Sequence, residues 1–124
     1  MKPGFPHATA NCRQIADVLA RIGDKWSVLV ISKLCSGPVR FNELKRQIGN
    51  ISQKMLSTTL RALERDGLVS RTIFPTVPPR VDYELTALGH DLLRSVQGLE
   101  GWARANMDKV YAARAKFDGA AEAA

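Results

Sequence analysis

Residues 51–71, with the sequence ISQKMLSTTLRALERDGLVSR, constrain the fold of this chain more than any other stretch. Ser52 is a favoured residue for the start of a helix, because its hydroxyl can accept a hydrogen bond from an unpaired amide of the first turn. Asp66 and Gly67 then supply a stop, since many helices end on a glycine in the left-handed conformation. We therefore predict a helix over residues 52–66.

The two sides of this predicted helix differ in chemistry. At about 100° per residue, its large apolar side chains fall within an arc of roughly 140°. These side chains are Met55, Leu56, Leu60 and Leu63. The basic residues Lys54, Arg61 and Arg65 fall on the opposite side, with Ser57 and Thr58 beside them. One side can pack in a core while the other faces an acidic surface, although a merely solvated face is the alternative that this helix alone leaves open.

Cap and stop residues predict the elements around this helix. Four further helices are predicted to begin at the caps Asn11, Asp24, Asn42 and Thr86. The runs LVSRTIF and RVDYEL, separated by PTVPP, predict a β-hairpin, and residues 39–41 form a short extended piece. Two helices joined by a short turn and followed by a hairpin predict a mainly α fold with a small β-hairpin, the winged helix-turn-helix.

The length of the chain suits one domain. Its 124 residues can bury a single modest core. We predict a flexible leader over residues 1–10, a winged helix-turn-helix domain over residues 11–116 and a disordered tail over residues 117–124. The last helix of the domain, over about residues 86–113, is expected to serve dimerisation.

Positive charge is concentrated in the middle of the chain. The net charge is +6, and residues 40–80 contain eight basic side chains against three acidic ones. Such clustering favours a polyanionic partner, which is either nucleic acid or an anionic membrane surface. Because three neighbouring elements offer cations to one duplex, we predict that the partner is double-stranded DNA and not a membrane.

Eight polar residues of this basic region are predicted to contact the DNA. Arginine can read guanine with two hydrogen bonds, glutamine can read adenine, and serine or threonine can bind phosphate or a base. The residues predicted to address the major groove are Gln53, Lys54, Ser57, Thr58 and Arg61. Those predicted to hold phosphate or enter the minor groove are Lys45, Arg46 and Arg80.

Three stretches of the chain resemble one family of bacterial regulators. They are RIGDKWSVLVISKL, RFNELKRQIGNISQKMLSTTLRALERDGLVSR and VPPRVDYELTALG, and together they resemble the HxlR-type winged helix-turn-helix proteins. The resemblance implies a homodimeric cytoplasmic transcription factor that binds palindromic operator DNA as a repressor or an activator. It also implies that the helix over residues 52–66 lies in the major groove and that the loop around residues 78–80 is the wing.

The resemblance implies that the first and last helices, here about residues 12–22 and 86–113, form the dimer interface, and the apolar pattern of the last helix agrees. The apolar stripe of the last helix is longer than one small core can cover, so a second copy of the chain would cover it. The candidate interface residues are Ile15, Leu92, Leu99, Trp102 and Val110. The alternative is that this stripe folds back on the second helix of its own chain.

Cys12 is a candidate for redox sensing. It lies in the first turn of the first predicted helix beside Arg13, where the helix dipole and a cation both favour the thiolate. The resemblance implies sensing of quinones, aldehydes or hypochlorite in some relatives, many of which have proline where this chain has Arg13. The alternative is an inert thiol at the dimer interface, and Cys35 is expected to pack in the core.

Other function classes find little support in the sequence. No nucleophile or phosphate-binding motif is present, and His7 and His90 lack the companions that a metal site requires. We therefore predict no enzyme, no cofactor and no metal, and we predict a cytoplasmic protein because the N-terminus lacks a secretory signal. Three rivals stay open, namely a winged helix that binds only proteins, a nonspecific architectural DNA-binding protein and a thiol-based enzyme.

Overall fold

The computed structural model describes residues 10–123, which form five helices and three strands. In chain order these are α1 (Ala10–Ile22), α2 (Lys25–Lys33), β1 (Val39–Arg40), α3 (Phe41–Ile48), α4 (Gln53–Arg65), β2 (Val69–Phe74), β3 (Arg80–Leu85) and α5 (Ala87–Ala123). The predicted fold class, mainly helical with a small antiparallel sheet, is confirmed. The predicted leader, residues 1–10, lies outside the described residues except for Ala10.

The sheet has one strand more than the predicted hairpin. Its order is β1-β3-β2 and both pairings are antiparallel. Within it, β1 pairs Val39 with Tyr83 and Arg40 with Asp82. The short extended piece predicted at residues 39–41 is therefore confirmed as β1, except that Phe41 already belongs to α3.

The core joins α4 to the other helices. Leu56, Leu60 and Leu63 of α4 are buried, as the sequence predicted for its apolar side. They belong to one cluster with residues of α2, α3 and α5, which are Val30, Ile31, Leu44, Leu93 and Val96. Met55, at the edge of the predicted apolar arc, is 42% exposed, so its predicted place in the core is wrong.

The cap predictions have mixed outcomes. Ser52 begins α4 as predicted, and its hydroxyl accepts a hydrogen bond from the Met55 amide at 3.0 Å. Thr86 likewise accepts one from the Gly89 amide at 3.1 Å. The starts predicted at Asn11 and Asn42 are wrong, because α1 already includes Ala10 and α3 begins at Phe41 after Arg40.

Two helix ends also differ from the sequence prediction. Since α2 ends at Lys33, Cys35 lies in the following turn and is exposed, so its predicted core packing is wrong. Conversely, α5 continues to Ala123, about ten residues beyond its predicted end, and includes most of the segment predicted to be disordered. The alanines of this segment are the strongest helix formers, which gives a local reason for the extension.

Candidate nucleic-acid interface

The outer side of α4 presents the chain's predicted groove-reading residues to solvent. Gln53, Lys54, Thr58 and Arg61 are exposed, and Ser57 is half-buried. Because the opposite side of α4 is anchored in the core, the helix cannot rotate to hide these residues. Arg65, one turn after Arg61, is exposed on the same side and lengthens the cationic surface.

A tight turn sets α3 against α4. Gly49 ends α3 with a φ of 92°, a conformation that favours glycine, and the Ile51 amide donates to the Gly49 carbonyl at 2.8 Å. Of the two cations predicted on α3, Lys45 is half-buried and Arg46 is exposed. Arg46 forms an ion pair with Glu43, so part of its charge is already balanced within α3.

The wing offers less free charge than the sequence suggested. Its loop, residues 75–79, contains no charged side chain, and Val77 at its tip is 99% exposed. Arg80 lies at the base of the loop as the first residue of β3, with its guanidinium carbon 4.1 Å from the centre of the Phe74 ring. Its Nε also lies 3.3 Å from an Asp82 carboxylate oxygen. The guanidinium of Arg80 is therefore partly engaged within the wing.

A polar recess of about 600 Å³ lies between α4 and the sheet. It is lined by Ser57, Arg61, Glu64, Arg65, Arg71 and Tyr83. The Arg71 Nε lies 3.7 Å from a Glu64 carboxylate oxygen. Burial raises the pKa of Tyr83, an effect that Arg71 opposes and Glu64 reinforces. The phenol therefore stays protonated at neutral pH and can donate a hydrogen bond.

Four residues of this recess were not among the predicted contacts, and two of them, Arg71 and Tyr83, lie on the sheet. Arg71 of β2 is the antiparallel partner of Tyr83 of β3, so both side chains lie on the same face of the sheet. The sequence contains both strands, but only their register brings these two residues together next to α4. Its positive charge placed Arg71 in the basic region over residues 40–80. No feature of the sequence around Tyr83 indicated a role in binding.

The predicted dimer residues lie on two helices with much exposed apolar surface. Ile15 of α1 is 46% exposed, while Leu99 and Trp102 of α5 are 58% and 61% exposed. Val110 is half-buried, and Leu92 packs against the chain's own core. Other exposed apolar residues on the same two helices are Val18, Leu19, Leu88, Met107, Tyr111 and Phe117.

The remaining candidate residues are separate from this interface. Cys12 is half-buried in α1, and His90 is exposed on α5, whereas His7 lies outside the described residues. Within residues 10–123, no group of three or more His, Cys, Asp or Glu side chains could hold a metal ion. No helix in that part of the chain is long and apolar enough to cross a bilayer.

Comparison with known proteins places this geometry in one family. A model of the HxlR-like helix-turn-helix family matches residues 21–111. The HTH-type transcriptional regulator YtfH of Escherichia coli (strain K12) is 42% identical over 98 residues, which cover 79% of this chain and 78% of YtfH. The solved structure of the transcriptional regulator ytfH from Salmonella typhimurium covers 86% of this chain and 96% of its own, with 38% identity and a TM-score of 0.77. The redox regulator HypR in its reduced form gives 36% identity and a TM-score of 0.75, covering 80% of this chain and 98% of its own.

Proposed function

Because this chain belongs to the HxlR-like helix-turn-helix family of transcriptional regulators, we propose that it binds palindromic operator DNA as a cytoplasmic homodimer. The family membership confirms the resemblance drawn from the three sequence stretches. The observation that carries the DNA-binding proposal is the exposed cationic side of α4, whose opposite side is buried in the core. A rigidly seated helix with outward Lys54 and Arg61 can enter a major groove without any rearrangement of the domain.

Within this proposal the predicted residues have different roles. Gln53, Lys54, Thr58 and Arg61 project from the outer side of α4 toward base edges, and half-buried Ser57 lies at its flank. Lys45 on α3 binds phosphate. Arg46 and Arg80 contribute less to DNA affinity than their charge suggests, because Arg46 is already paired with Glu43 and Arg80 with Asp82.

Selection of DNA by the purified protein from a random pool tests this function. A symmetric dimer requires a two-fold site whose half-site centres are about one helical turn apart, or a multiple of that distance. Binding without sequence preference would instead identify an architectural protein. Failure to retain any duplex would favour a winged helix that binds only proteins.

We propose that α1 and the exposed stripe of α5 form the homodimer interface. Trp102 and Leu99 are more than half exposed in a single chain, and a second copy would remove this apolar surface from water. Sedimentation equilibrium of Trp102→Glu is expected to show a weakened dimer. Ile73→Glu is a matched control, because Ile73 is 57% exposed on β2, outside both helices. A dimer of unchanged strength in Trp102→Glu would exclude this interface.

We propose that Cys12 senses electrophiles or oxidants, as the likeness to the redox regulator HypR suggests. A quinone would add to the Cys12 sulfur, and the thiol proton would pass to the quinone oxygen. After treatment with benzoquinone, DNA release is expected for the wild type and for Cys35→Ser but not for Cys12→Ser. Cys35 is a fitting control because it is the exposed thiol. Release of DNA by Cys12→Ser as well would refute the sensing role.

A further inference from the structure

The recess between α4 and the sheet opens beside the proposed reading surface. Its wall on α4 includes Arg61, which also belongs to the outer cationic side of that helix. Its wall on the sheet is formed by Arg71 and Tyr83, which come from two paired strands. The recess is therefore built by two elements that the core holds against each other.

The size of a DNA groove determines what would reach this recess. A helix with its side chains is about 10–12 Å wide, and the major groove is about 12 Å wide. A helix seated in the groove therefore has a sugar-phosphate strand directly along its flank. The flank of α4 on the side of the sheet is the recess, so a backbone phosphate and not a base edge would enter it.

The chemistry of the lining suits a phosphodiester. Beside Arg61, which is assigned to the base edges, Arg65 and Arg71 line the space with two further guanidinium groups, and each of these can donate two parallel hydrogen bonds to a phosphate. Ser57 and the protonated phenol of Tyr83 add neutral donors. Among the described residues that line the recess, Glu64 is the one carboxylate.

Glu64 occupies the position of a competing anion. Its carboxylate lies 3.7 Å from the Arg71 Nε, which is an ion-pair distance but longer than a good hydrogen bond. Both side chains remain partly exposed, at 44% for Arg71 and 39% for Glu64, so the pair can be replaced by a solvent-borne anion. A phosphate that approaches Arg71 must also overcome repulsion from the Glu64 charge.

We propose that this recess binds one DNA backbone phosphate through Arg71 and Tyr83, and that Glu64 lowers DNA affinity by competing for Arg71. The proposal rests on the proposed function and adds to it a phosphate site on the body of the sheet, away from the uncharged loop at the wing tip. It also assigns Glu64 the role of weakening every complex, specific or not. This loss of affinity favours release from random DNA, where fewer base contacts compensate for the loss.

Anisotropy titrations of a selected operator and a random-sequence duplex, each at several KCl concentrations, test the proposal. Arg71→Ala is expected to lower affinity about tenfold on both duplexes and to reduce the slope of log K against log salt by about one. Glu64→Gln is expected to raise affinity severalfold on both. Its effect should be smaller in the Arg71→Ala background, because the competition for Arg71 is then absent and only the repulsion between Glu64 and the phosphate remains.

Lys116→Ala is the matched control, since it removes one exposed cation from the distal part of α5. It should leave both affinities and the salt slope unchanged, and thermal unfolding of every variant should match the wild type. Unchanged binding by Arg71→Ala, a loss confined to the operator, or an equal effect of Glu64→Gln in both backgrounds would each overturn the phosphate site. If the wild type binds neither duplex, the proposed function itself fails, which is a different result.

Discussion

Gly89 is where the first turn of α5 meets the connection between α4 and the sheet. A Cβ at this position would lie 2.1 Å from the Leu68 carbonyl oxygen and 3.1 Å from a Leu85 methyl carbon. The Leu68 carbonyl cannot easily move away, because it accepts a hydrogen bond from the Thr86 amide at 3.1 Å. Thr86 in turn donates its hydroxyl hydrogen to the Gly67 carbonyl at 2.6 Å. Gly89→Ala must therefore displace backbone and not merely a flexible side chain.

The cost can be worked from these contacts. Relieving the clash requires a shift of about 1 Å, and such overpacking costs about 1–3 kcal/mol. Weakening the cap hydrogen bond between the Gly89 amide and Thr86 adds about 1 kcal/mol. The better helix propensity of alanine offsets this destabilisation by about 1 kcal/mol. The net loss of unfolding free energy is about 1–3 kcal/mol, or about 4–12 °C in Tm for a domain of this size.

Gly98→Ala is the matched control for this prediction. Gly98 lies in the same helix, is exposed, and has nothing within 4 Å of an added Cβ. Alanine there is expected to raise Tm by about 2–4 °C, because only the helix propensity changes. Thermal unfolding followed by circular dichroism at one fixed protein concentration compares the two variants, since dimerisation makes Tm depend on concentration. If Gly89→Ala melts at or above the wild-type temperature, the tight contact with Leu68 does not constrain the fold.

Four substitutions elsewhere test separate parts of the structure. Arg61→Ala is expected to cost about 1–3 kcal/mol on the operator and to blur one base position, and equal losses on random DNA would exclude base reading. Lys45→Ala should weaken binding to all sequences alike and lower the salt slope by about one, whereas a loss on the operator alone would contradict a phosphate contact. Ser52→Ala should lower the unfolding free energy by about 1 kcal/mol in urea titrations, because the cap to Met55 is lost, and an unchanged midpoint would mean that water replaces the hydroxyl. The raised pKa of Tyr83 means that wild-type stability falls as pH rises above about 10, so Tyr83→Phe should show a smaller fall in urea titrations across that range.

Local chemistry was enough to identify the elements that present the candidate site. Ser52 can cap a helix and Gly67 can end one wherever they stand, so the extent of α4 followed from short-range rules. The 3.6-residue period then separated its buried leucines from Lys54 and Arg61 without knowledge of their partners. The resemblance to a known family added the arrangement in space, which periodicity does not provide.

Residues that depend on pairing between distant segments were not predictable in this way. Arg71 and Tyr83 are twelve residues apart, and only the antiparallel register of β2 and β3 places them on one face beside α4. The state of Arg80 was hidden for the same reason, because its stacking on Phe74 follows from their pairing across the wing. A count of charges treats Arg80 as a free cation, whereas in the folded chain its guanidinium already contacts the Phe74 ring and the Asp82 carboxylate.

The sequence by itself determined the extent of α4, which side of α4 is buried, and that positive charge is concentrated in the middle of the chain. These properties depend on residues within one or two turns of each other, where backbone geometry leaves few choices. Tertiary structure alone decided which cations remain free for an anion, because ion pairs and stacking form between residues that only folding brings together. It also decided that Gly89 lies in close contact with the connection between α4 and β2, while Gly98, in the same helix, has no such contact.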